Sequence, residues 1–430
     1  MSSFVIEIDW EQLQQGLPEE RATFGAVGLR VGDTWLTEAH DSFARRVRQK
    51  VHLSGYQLAY WLAWNFWRLR WEPARRSMDW KLAHRLSTIG GGYVWPNLTI
   101  SSDGEFVRLS ATPATSNPAD SLRYVAHAHR TVSAGAFESA IDDFLSLVLL
   151  QLNAEGVKDT DLQLLWREVS EERQNEDVSW HRRLEAALGY DPDEAEPVQV
   201  QALIDDARGL GKLAVVELAA STPVGEVSLG SQAIGDVAQK EGFDACWENL
   251  PSLSGLSHML DKSAWERGEE AARALRTQEK LGDGPLSDNT LAALAATHPR
   301  ILQGGQGGAP RSRTSFALVG EARSVRYVLG SPIPVNRRFD LARLLGDRLL
   351  ETRQESLWPV TRSYTYRQKM QRAFSAELLC PWASIEARVD GERSEDSREE
   401  IAAEFQVSAL VVRNQLVNKG LLDRSALELF

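Results

Sequence analysis

One segment sets cations among aromatic rings at spacings that could do chemistry. Arg45, Arg46, Arg48, Lys50, Arg68, Arg70, Arg75, Arg76, Lys81 and Arg85 are interleaved with Trp64, Trp67, Trp71 and Trp80. Arginines can contact phosphates and tryptophan faces can stack bases, which is how single-stranded nucleic acid is held. Tryptophans three or four apart on a helix also make a core ridge, and core packing with the arginines lying over its edge is the favoured reading. Near the C-terminus Arg413, Asn414, Gln415, Asn418 and Lys419 fall on one short helical segment, where they could reach base edges or phosphates. Among the eight histidines, His127 and His129 alternate and would share a face only on a strand, and they read as ordinary residues rather than metal ligands. The chain has no G-x-S-x-G elbow, no phosphate-binding G-x-x-x-x-G-K-[ST] loop and no C-x-x-C.

The elements that must position these residues follow from period and punctuation. FVIEIDW and the alternating run from Ala26 to Leu36 predict strands. Ser54-Gly55 open a tryptophan-rich helix that Pro73 ends, and GGGYVWPNLTISSDGEFVRLSATPA predicts a hairpin turning at Asp103-Gly104. From about Gly135 amphipathic helices take over, beginning with AFESAIDDFLSLVLLQLN. A helix from Ser263 to Leu281 follows, then a short second helix, the glycine-rich connector Gln303 to Pro310, an antiparallel pair from SFALVG and SVRYVLGS, and a helix over Arg337 to Leu350.

The chain has 430 residues, 43% apolar and 25% charged, which is the composition of a multidomain globular protein. No apolar run is long enough for a membrane span, and MSSFVIEIDWEQ lacks the basic and apolar regions of a signal peptide, so a cytoplasmic protein is expected. Cys246 and Cys380 are too few for a disulfide framework and read as small core residues. The net charge of −12 argues against a nucleic-acid coat, yet it is unevenly spread. Ala44 to Leu86 carries ten Lys/Arg against two acids and Pro310 to Arg372 thirteen against five, while Glu155 to Asp206 carries fifteen acids against five bases. The acidic stretch could pair with the basic ones within one chain or in a neighbouring subunit, the second case making an oligomer.

From Trp265 to Leu422 an ordered set of segments resembles the ImmA/IrrE family of metallopeptidase-like proteins. These are WERGEEAARALR, GDGPLSDNTLAALA, a β-hairpin, RRFDLARLLGDRLL, QRAFSAELLCP and EEIAAEFQVSALVVRNQLVNKGLL. The resemblance implies a zincin-like fold whose helix after the hairpin carries HExxH, two histidines on one face for zinc with the glutamate as base. Here those five positions are Arg343-Leu344-Leu345-Gly346-Asp347, so the zinc motif is lost, while Glu377 occupies the third-ligand position. A carboxylate facing a former metal cavity needs a new cation, and either Arg343, Asp347 and Glu377 are expected to form an ion-pair cluster there, or Arg343 and Asp347 are expected to be simply solvated.

The resulting expectation is an α+β protein of three parts. These are an N-terminal domain over 1–134 with a small antiparallel sheet and a basic tryptophan-rich helix, an acidic helical domain over 135–262, and an ImmA/IrrE-like pseudo-peptidase domain over 263–430 ending in helix-turn-helix-like helices. The resemblance implies a non-catalytic bacterial regulatory or mobile-element-linked scaffold that binds a protein or peptide, with no cofactor and no metal. The alternative is a nucleic-acid-binding subunit using Arg68, Arg70, Arg75, Arg76, Arg337, Arg338, Arg413, Asn414 and Lys419.

Overall fold

A computed structural model describes residues 3–115, 120–253, 262–303, 314–320, 324–351, 354–389 and 394–422. The chain divides into two compact units, one of residues 1–200 and 222–226, the other of residues 201–221 and 227–430. Both mix helices with small antiparallel sheets, which is the expected α+β class. Among the described residues no helix is long and apolar enough to cross a membrane.

In the first unit Phe4–Trp10 pairs with Phe24–Val31, which also pairs with Thr34–Trp35 and Val51–Ser54. A second sheet joins Leu98–Ser102, Phe106–Ala111 and Ala128–Ser133, and its first two strands are the hairpin predicted around Asp103-Gly104. Asp103 closes that turn by accepting from the Phe106 amide at 2.8 Å. The tryptophan-rich segment forms two helices, Gly55–Trp64 and Phe66–Trp71, started by the Ser54 hydroxyl cap on Gln57. Asn65 interrupts it, bonding through its side chain to Trp61 O at 2.9 Å. Trp61, Trp67 and Trp80 are buried, so these three are core as favoured, whereas Trp64 is exposed.

The middle part expected over 135–262 is divided, residues 135–200 and 222–226 falling in the first unit and the others in the second. Its first helix, Ala134–Ala154, buries Phe137, Ile141, Phe144, Leu145 and Val148 in one core with Phe4, Leu29 and Leu53 of the N-terminal sheet. Phe137 stacks on Phe4 at 6.0 Å. Apolar burial, at roughly 25 cal/mol per Å², outweighs the change from strands to amphipathic helices that suggested a boundary near residue 135.

In the second unit four strands run antiparallel in the order Phe243–Ala245, Val325–Val328, Ser315–Val319, Leu357–Val360. The glycine-rich connector over 304–310 lies outside the described residues. Helices Ala264–Gln278, Pro334–Leu350 and Tyr366–Leu379 pack together beside the sheet. Two close approaches set their spacing: a Cβ on Gly268 would lie 2.5 Å from Met370 O, and one on Gly346 would lie 2.3 Å from the Phe374 ring. Helices Glu395–Phe405 and Ala409–Asn418 form the expected terminal pair, with Gln406 at φ 53° ending the first. Cys380 is buried as expected, but Cys246 is exposed, a correction that follows from its place just beyond the short edge strand Phe243–Ala245.

Candidate functional site

The helix Pro334–Leu350 begins with proline in its first turn and presents Arg343, Leu344 and Asp347 to the interior, all buried. Beside it, Tyr366–Leu379 is capped by the Thr365 hydroxyl on Gln368 N. Its face carrying Arg367, Gln368 and Gln371 is also buried. Asp347 accepts from Arg367 Nε at 2.9 and 3.0 Å, and Nη2 lies 2.8 Å from Oδ2. The other arm of Arg367 reaches Glu355 at 3.2 Å, which in turn accepts from Leu213 N at 2.8 Å.

Arg343 turns to the sheet edge, donating to Thr361 O at 2.8 Å and to Gln368 Oε1, with Asp340 at 3.9 Å. Glu217, from the helix Lys212–Ser221, completes the polar interior by accepting from Thr365 Oγ1 at 2.8 Å and Ser363 Oγ at 3.2 Å. Burial pushes the carboxyls of Asp347, Glu217, Asp340 and Glu355 above their ordinary values, against the pull of neighbouring arginines. Burial, reinforced by the like charge of Arg343, brings the Arg372 guanidinium down to about 9.

The expected cluster of Arg343, Asp347 and Glu377 is corrected by this geometry. Asp347 is paired with Arg367, and Arg343 with Asp340 and backbone. Glu377 lies on the face toward Ala264–Gln278, where it takes Arg273 Nε at 2.8 Å and the Trp382 amide at 3.1 Å. The helical period explains this, since Asp347's partner Arg367 and Glu377 are ten residues apart and leave the helix in different directions. The solvated alternative for Arg343 and Asp347 is corrected as well, because both are buried. Arg367, Arg273 and Glu217 carry the network and went unrecognised in sequence. A signal existed for Glu217, the lone acid in the otherwise apolar run LAVVELAA.

The cations proposed for nucleic acid are mostly committed to the fold. Arg68 holds Glu72 at 2.8 Å and Asp191 at 3.1 Å, and Arg70 holds Glu138 and Gly104 O. Arg75 donates to Thr222 O at 2.9 Å and to Ala187 O. Arg337 binds three backbone oxygens, of Ile301, Leu329 and Ser331, while Arg338 is paired with Asp288 and Leu286 O. Lys419 binds Glu269 at 2.8 Å. Arg68, Arg70, Arg337 and Arg338 are buried and bound to internal partners, which corrects their assignment as surface contacts for a phosphate. Arg76 is exposed, and Arg413 and Asn414 are half-buried on a helix whose Gln415 bonds Cys380 O at 2.8 Å, so part of that helix serves packing.

Around Glu72 the first unit builds a second buried polar centre. His84 lies with Nδ1 2.8 Å from Ile100 O and Nε2 3.1 Å from Glu72, its ring stacked on Trp80 at 4.2 Å. Burial would raise the Glu72 carboxyl, but His84 and Arg68 overcome it and hold the group below its usual value. His127 and His129 are exposed with ring centroids 5.8 Å apart. Among the described residues no group of three or more His, Cys, Asp or Glu side chains is arranged to hold a metal ion.

Comparison with family models, with curated proteins and with solved structures finds no match for this chain.

Proposed function

We propose that this chain is a non-catalytic regulatory or scaffold protein whose second unit resembles a metal-free ImmA/IrrE-like peptidase. It would act by binding a protein or peptide partner in a cytoplasmic, bacterial regulatory setting. The observation that carries this reading is the Arg343, Asp347 and Arg367 arrangement. Where the resembled family places a zinc-binding helix face, this chain has a buried face whose charges satisfy one another. Such a face has neither a ligand set nor a general base open to water. A nucleic-acid-binding role, the alternative, has less to rest on once the buried arginines are assigned to internal partners.

The test is elemental analysis of the purified full chain, together with its ultraviolet absorbance ratio and a peptide-hydrolysis assay. The expected result is zinc far below one atom per chain, no co-purified nucleic acid and no hydrolysis. One zinc per chain with chelator-sensitive hydrolysis would overturn the reading, and bound nucleic acid would move it to the alternative.

A further inference from the structure

In the first unit the strands Ala39–Asp41 and Arg46–Arg48 form a hairpin whose turn is residues 42–45. Six consecutive residues, Ser42 to Val47, are exposed. At the apex Phe43 is 96% exposed, more than any other large apolar side chain among the described residues, and Val47 is 54% exposed. The turn is fixed by its own hydrogen bonds. Ala44 N donates to Asp41 Oδ1 at 2.8 Å, and the Ser42 amide and hydroxyl donate to Ser121 O and Asp120 O at 2.9 and 3.0 Å. The first strand is also paired with Leu122–Tyr124 on its other side. Arg45 closes the turn with a left-handed φ of 50°.

A single exposed apolar side chain is ordinary on a protein surface, but this one has a distinctive setting. The cations of the same segment divide into two sets. Arg48 is held by Asp41 at 2.8 Å, and Lys50 by Glu7 and Asp9 at 3.0 Å. Arg45 and Arg46, two and three residues after the ring, are exposed, and among the described residues neither has an ion-pair or hydrogen-bond partner. The one acid at the base of the turn, Asp41, is already taken by Arg48 and the Ala44 amide. A fixed turn therefore holds out an apolar ring, with two uncommitted cations directly behind it.

We propose that this hairpin tip is a peripheral anchor for an anionic lipid surface, with Phe43 entering the acyl boundary and Arg45 and Arg46 meeting the head groups. An apolar apex with cations behind it matches the order of layers in such a surface, apolar beneath anionic. A nucleic acid would pair the arginines with phosphates but would set Ala44 and Val47 against its charged backbone, which favours lipid. The net charge of −12 repels an anionic layer from the chain as a whole, so contact is confined to the exposed tip. The proposal concerns the first unit and does not depend on the peptidase-like reading of the second.

The test is co-sedimentation of the full chain with vesicles of mixed phosphatidylglycerol and phosphatidylcholine, and with vesicles of phosphatidylcholine alone, with an oligo-dT strand as competitor. Binding to the mixed vesicles only, weakened by added salt, is the expected result. Phe43→Ala should weaken it about tenfold, and Phe43→Leu, which keeps an apolar apex, should restore most of it. Arg45→Gln and Arg46→Gln should each weaken it about fivefold. Arg21→Gln, at an exposed arginine outside the hairpin, should change nothing. Every substituted side chain is exposed, and circular dichroism checks that each variant is folded. Absence of binding to the mixed vesicles, equal binding to phosphatidylcholine alone, or binding indifferent to Phe43→Ala or to both arginine variants would overturn the proposal. So would displacement of the chain from the vesicles by the oligo-dT strand.

Discussion

Arg367 and Asp347 face each other across two packed helices in a side-on pair, with Nε at 2.9 and 3.0 Å and Nη2 at 2.8 Å from the carboxylate, and both side chains buried. Arg343, four residues before Asp347, is the neighbour that sequence spacing nominates, but it is bound to Thr361 O and Gln368 instead. Removing one member of such a pair strands the other in a medium that solvates it poorly. Arg367→Met should therefore destabilise the second unit by about 3–5 kcal/mol. Urea denaturation followed by a probe in that unit measures it. The double variant Arg367→Met with Asp347→Leu should recover much of the loss, since a well-packed apolar pair can replace a buried ion pair.

Glu217 makes a pH prediction of definite sign. Burial raises its carboxyl in the folded protein, so between its unfolded and folded values the native state binds more protons than the unfolded chain. Its contribution to stability is then greatest at acid pH and falls as pH rises through that window. Glu217→Gln, which keeps an acceptor for Thr365 and Ser363, should raise the melting temperature at pH 8, with the gain vanishing below the ordinary glutamate range. An unchanged profile of melting temperature against pH would refute this.

Glu72 should behave in the opposite way. Its carboxyl is held down by His84 and Arg68 in spite of burial, so its contribution is present at neutral pH and is lost as pH falls through its folded value. Glu72→Gln should cost the first unit about 2 kcal/mol at pH 7 by taking one of its two carboxylate partners from the buried Arg68 guanidinium, which keeps Asp191 at 3.1 Å. That difference should shrink toward pH 3. Thermal unfolding of wild type and variant over this range checks both points.

Gly268 is a packing prediction. A methyl group there would meet backbone atoms, Met370 O at 2.5 Å and Phe374 N at 2.8 Å, which cannot swing aside as a side chain can. Gly268→Ala gains helix propensity worth about 1 kcal/mol, yet forcing the two helices apart should cost about 1–3 kcal/mol. A net loss of stability in urea denaturation is expected, and a net gain would show that the helices separate freely.

Much of the local structure is legible in the amino-acid sequence. The strand FVIEIDW, the Asp103-Gly104 hairpin, the antiparallel pair of Ser315–Val319 and Val325–Val328, and the helices carrying Arg343 and Glu377 each follow from short-range period and turn chemistry, which neighbouring residues determine among themselves. Partnership was decided at longer range. Whether Arg68 meets a phosphate or Glu72 and Asp191, whether Glu377 faces Arg343 or Arg273, and whether Trp64 is core or surface depend on which helix faces meet. That choice is made by burial of apolar side chains such as Phe137 and Phe374. Charged groups then take whatever partner the packed backbone brings within hydrogen-bond reach, because a buried charge left unpaired costs more than almost any local preference can offset.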